Sequence, residues 1–346
     1  MSECYQAVFF LLPPLLSIHE LQIALPSNES RWGSSYEQWR YQPPPSLTTS
    51  ICATIARVSS GAAIQEDLEQ PARLITLCTA FGQHVASQNL MRAMMPQSEN
   101  TNDISASSLV PTNSLWRTAF DALSTEGCSQ SLDEVDRDAT LNGYAVEARL
   151  LTILTFTPSR VLLPSSKWQT SAHGYGKARN ELLGILSNDA PRARYCLYLS
   201  AQLFRHFRNT QASTYLDTLT LLMCVLYLVS YIELVELQRP DAALRRDTTS
   251  VAKIIRLDQS ISEDGRDSWL NHRCQSRPHV TGLGLLDTDR SVARVFKEAS
   301  RIMANNGGTS TLAGAMSAIM ASSATGRPPD FPHDQPEPHA SSSNHT

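Results

Sequence analysis

The stretch Thr214–Leu237, TYLDTLTLLMCVLYLVSYIELVEL, restricts what this chain can fold into more than any other. Its uncharged centre, Thr218–Ile232, runs 15 residues and is closed at its ends by Asp217 and Glu233. A bilayer core takes about 20 consecutive apolar residues, so this run falls short of a membrane span. A helix that is apolar almost all round must be covered on every side, and in a globular chain other elements supply the cover. The run therefore predicts the central helix of a large helical body. With 346 residues the chain is long enough to build one, and at about 100–200 residues per domain it allows about two domains.

Helical periodicity elsewhere supports that reading, and no segment shows sustained strand alternation. Leu74, Cys78, Phe81 and Val85 recur at helical steps after Pro71, which suits a first turn where its missing N–H is not needed. Pro191 opens a second such segment, in which Cys196, Leu199, Leu203 and Phe207 form one stripe and Arg194, Arg205 and Arg208 the polar side. In a third, Val292, Val295, Phe296, Ala299, Ile302 and Met303 share a face opposite Arg294, Lys297, Glu298 and Arg301. Asp287 and Asp289 offer N-caps for it, and Asn305-Asn306-Gly307-Gly308 supplies the stop. The fold class predicted is all-α, an irregular multi-helix bundle.

Two segments are too polar and turn-rich to pack, Ser98–Asn113 and Ser124–Asn142, and read as mobile insertions in that body. The Pro-, His- and Ser-rich end, 324–346, reads as a disordered tail, which leaves 1–323 as one domain. Pro43-Pro44-Pro45 reads as a rigid turn before a helix starting near Ser46, with a docking ligand as the alternative.

The charge balance narrows the function classes. A net charge of -4 argues against a strong nonspecific grip on nucleic acid. Two basic groups, Lys177, Arg179 and Arg192–Arg208 on one side and Arg239, Arg245, Arg246, Lys253 and Arg256 on the other, are interrupted by core positions. They read as solvated or ion-pairing faces. The seven cysteines, at 4, 52, 78, 128, 196, 224 and 274, never form Cys-x-x-Cys. His272 and Cys274 lack the second ligand pair a structural zinc needs. Buried reduced thiols in an intracellular protein are the expectation. The apolar run Ala7–Leu16 lacks a basic flank and a cleavage site, so it does not read as a secretory signal.

Catalytic patterns are missing. Gly282 and Gly284 lack a third glycine three residues on and read as a turn, with Pro278 arguing against a preceding strand. His19-Glu20 has Ile23 where a zinc-protease helix needs its second His. Asp258, Glu263, Asp264 and Asp267 read as helix caps and a solvated loop. No catalytic, cofactor-binding or metal-ligating residue is assigned, and no enzyme activity is expected. His19, His84 and His206 are the loose candidates should the chain bind a small molecule.

Within Ser17–Arg40, SIHELQIALPSNESRWGSSYEQWR, a short helix leads to Leu25-Pro26, then Glu29 and Trp32, then Glu37 and Trp39. This element resembles the fungal-specific transcription factor domain, the middle homology region of fungal zinc-dependent regulators. The downstream order is similar too: a helix over Leu68–Leu90, a Trp168 segment, a helix pair around Arg192–Leu237, and the Arg277–Met303 stretch. The resemblance covers about 1–320 and implies an α-helical regulatory body in the nucleus. It also implies a DNA-binding module and first helices upstream that this chain does not contain. Zinc is expected only in that module, and DNA contact only indirectly. The implied partners are other transcription-regulatory proteins or a second copy of the chain, and no membrane. The alternatives are a truncated product without independent activity and a helical small-molecule-binding protein.

Overall fold

The computed structural model describes residues 50–62, 70–94, 115–129, 141–167, 170–210, 215–237, 254–259, 261, 263–272, 276–288 and 290–305. These are 80% helical, in ten α-helices with one three-stranded sheet, which is the all-α class expected. The helices are α1 (Ile51–Ser59), α2 (Gln70–Met94), α3 (Leu115–Ser129), α4 (Gly143–Phe156), α5 (Ser159–Leu162), α6 (Ala172–Asn188), α7 (Ala190–Asn209), α8 (Tyr215–Tyr231), α9 (Glu263–His272) and α10 (Ser291–Asn305). The element at Ser17–Arg40, Trp168, the segment Ser98–Asn113 and the tail 324–346 lie outside the described residues.

The apolar run becomes the core helix it predicts. Every residue of α8 from Leu219 is buried, as is Ile232 at the start of the π-helical turn Ile232–Glu236 that continues it. Its cover comes from α7, α4, α5 and α10. Two cross-helix hydrogen bonds fix its pairing with α7: the Cys224 thiol donates to the Ser200 carbonyl at 2.9 Å and the Tyr227 hydroxyl to the Ala193 carbonyl at 2.8 Å. Moving forward along α8 moves backward along α7, so the two helices run antiparallel. Asp189 caps α7 through the Arg192 N–H at 3.1 Å, with Pro191 in the first turn.

An N-terminal layer of α1, α2 and α3 packs on α4, which in turn packs on α7. Asn142 caps α4 by accepting the Ala145 N–H at 2.8 Å. Phe81 of α2 meets Phe120 of α3 with ring centroids 5.6 Å apart, and the Tyr144 hydroxyl of α4 donates to the Leu123 carbonyl at 2.5 Å. An Arg73–Glu126 ion pair joins α2 to α3. Of the segment expected to be a polar insertion, 124–142, residues 130–140 lie outside the described residues, and the two ends belong to the helical body. Ser124–Ser129 continue α3, because Ser124 and Thr125 donate their hydroxyls to the Asp121 carbonyl, so their polarity is satisfied within the helix. Leu141 is buried and Asn142 is the cap of α4.

The C-terminal part adds a cap. Strands β1 (Ile254–Arg256), β2 (Arg277–Val280) and β3 (Gly284–Leu285) form a sheet in that order, β1–β2 parallel and β2–β3 antiparallel. Pro278 thus lies inside a strand, contrary to expectation. With runs of two to four residues, no period-2 alternation is long enough to register in the sequence. Leu257, Trp269, Val280, Leu283 and Leu286 join the core from this cap. Helix α10 presents Val295, Phe296, Ala299, Ile302 and Met303 inward, the stripe its periodicity predicts, and packs on α8. Asp287 does not cap it. Its carboxylate takes two hydrogen bonds from Arg277, at 2.6 and 2.8 Å, an arrangement that a bidentate guanidinium favours over a single backbone N–H.

Gly282 (φ +86°) makes the β2–β3 turn possible, and Arg208 of α7 lies directly over it. A Cβ at Gly282 would stand 2.6 Å from the Arg208 Nη1, which already donates to the Thr281 carbonyl. Gly282→Ala should therefore cost about 1–3 kcal/mol, part from the left-handed backbone and part from displacing Arg208. In an Arg208→Ala background only the backbone part remains, so the two losses should add to less than their sum in urea unfolding.

Candidate functional site

A surface recess with several polar side chains lies where α2 meets the end of α4 and the start of α5. Phe81, Val85, Leu154 and Pro158 form its apolar walls, and His84, Gln88, Asn89, Thr155 and Arg160 its polar ones. Helical spacing brings the α2 residues together, because 81, 84, 85, 88 and 89 fall on adjoining positions of one face. Proline 158 ends α4 one residue after Thr157 and turns the chain so that α5 closes the recess. The cavity measures about 20 Å³, room for a single water-sized group.

His84 is 2% exposed. Its Nε2 lies 2.8 Å from the Gln88 side-chain nitrogen, which leaves the imidazole Nδ1 buried without a hydrogen bond. An amide nitrogen only donates, so Nε2 accepts and the proton of the neutral ring sits on Nδ1. Burial, with Arg117 next and Arg192 weaker, lowers its pKa to about 4 against the opposing pull of Asp121. Arg117 pairs with Asp121 at 2.7 Å, and Arg160 pairs with Glu181 at 3.2 Å. Arg192 lies over the Phe156 ring, 5.7 Å from its centroid.

The other histidine candidates are not brought here. His19 lies outside the described residues. His206, in the last turn of α7, packs edge-on against Phe207 at 5.0 Å, and burial lowers its pKa to about 4, Asp217 opposing and Arg149 assisting. Asp258 departs furthest from its expected solvated loop. It is 1% exposed, and one carboxylate oxygen accepts the Thr281 N–H at 3.0 Å. Glu263 begins α9, and Asp264 and Asp267 follow on that helix as exposed residues. Cys274 lies outside the described residues. Among the described residues no group of three or more His, Cys, Asp or Glu is placed to hold a metal ion.

The α7 arginines depart from expectation as well. Arg194 donates to the Leu270 carbonyl, Arg205 to the Asp258 carbonyl at 2.6 Å, and Arg208 to the Thr281 carbonyl. On α10, Arg294 donates to the Leu285 carbonyl at 2.8 Å and to the Thr288 hydroxyl at 2.7 Å. Positions 194, 205 and 208 lie on one side of α7, and the cap seats itself on that side. Three arginines of the group that reads as a solvated or ion-pairing face instead hold backbone carbonyls of α9 and of the turns at Asp258 and Thr281. Arg179 of that group makes an ion pair of the kind the sequence suggests, with Glu233 at 2.6 Å. Arg239, Arg245, Arg246 and Lys253 lie outside the described residues.

Comparison with family models, curated proteins and solved structures found no match. Sequence reasoning missed Arg149, which is wholly buried and ties three helices: it donates to Gln202 of α7 at 2.9 Å, to the Ala145 carbonyl of α4 at 3.1 Å and to the Cys128 carbonyl of α3 at 3.4 Å. The one sequence sign is its place, with Glu147, in a mostly apolar stretch, AVEARLLTIL.

Proposed function

We propose that this chain is a helical regulatory body that does not itself read DNA, of the kind found in fungal zinc-dependent transcription regulators. In this reading it acts in the nucleus, without catalysis, through other regulatory proteins or a second copy of itself. The observation that carries the non-reading part is the inward turn of Arg194, Arg205 and Arg208. Phosphate contact needs Lys and Arg side chains free to neutralise the backbone of the duplex. Three of the arginines on the best basic helix among the described residues are engaged by backbone carbonyls of the cap instead. The regulatory part is supported by the all-α body and by the order of its helices: one over Gln70–Met94, an antiparallel pair from Ala190 to Tyr231, and a last one over Ser291–Asn305.

Tethering the full chain to a heterologous DNA-binding module upstream of a reporter tests this reading. Reporter output should change severalfold in either direction relative to the module alone. Unchanged output, together with no regulatory protein co-purifying from nuclear extract, contradicts it.

A further inference from the structure

We draw no further inference here: the strongest candidate, the side-chain cluster where the cap meets α7, in which the buried Asp258 carboxylate accepts the Thr281 N–H beside Arg205 and Arg208, carries nothing, because those contacts hold the cap to the body, Leu257 and Val280 beside them lie in the core, and nothing in the structure points to a ligand or to an opening there.

Discussion

Replacing Arg149 by alanine should cost the fold about 3–5 kcal/mol, the largest loss expected from any single substitution considered. The guanidinium is wholly buried, and burial already pushes its pKa below the ordinary arginine value. It answers three acceptors on three helices, so truncation leaves the Gln202 side chain and the Cys128 carbonyl without that donor and opens a cavity at the α3–α4–α7 junction. Since a domain is stable by only about 5–15 kcal/mol, the variant should lie near the edge of folding. Urea unfolding read by circular dichroism measures the loss. Arg149→Met combined with Gln202→Leu replaces both partners with apolar groups of similar length, and should recover at least half of the loss that alanine causes. A single cooperative transition in the unsubstituted chain is also expected, and would set aside the alternative that this sequence cannot fold alone.

Acid should unfold the protein in a window set by two histidines. His84 and His206 both have their pKa values lowered to about 4, from an ordinary value of 6.5, chiefly by burial. The folded state therefore holds them neutral at pH 5–6, where the unfolded chain binds protons. Stability is fully present above the unfolded value and declines as pH falls from 6.5 toward 4. A shift of that size corresponds to about 3 kcal/mol for each histidine. The urea midpoint should be flat above pH 7 and fall steeply below 6.5. His84→Gln keeps a polar side chain without a titrating ring, and should remove about half of the slope between pH 6.5 and 5. An unchanged slope in that variant would assign the acid response to other groups.

The parts of this fold that were legible in the sequence are those in which one helix carries its own record. The Thr218–Ile232 run demands cover on all sides, and the structure buries it. Cys196, Leu199, Leu203 and Phe207 share a stripe because 3.6 residues make a turn, and all four are buried. Proline 191 marks a helix start because a first turn needs no N–H there. Other features depend on partners far along the chain. Gln202, the acceptor for Arg149, lies 53 residues away, and the carbonyls that hold Arg194 and Arg208 lie more than 70 residues away. An arginine that meets a carbonyl has the same sequence signature as one that meets water, since every residue offers a carbonyl. The three strands are too short to show alternation, and the turn between β2 and β3 was visible only through its glycines. The recess at His84 joins residues of α2 to the end of α4, and neither half marks itself as a site.

The central proposal is that α7, with Arg194, Arg205 and Arg208 held by carbonyls of the cap, is not a DNA-reading helix. Fluorescence anisotropy with labelled duplex DNA, across a salt series from about 0.05 to 0.2 M, tests it most directly. No saturable binding is expected at about 0.15 M salt, and no steep dependence on salt below it. Micromolar or tighter binding that weakens steeply with salt, and is lost in Arg205→Ala or Arg208→Ala, would contradict it.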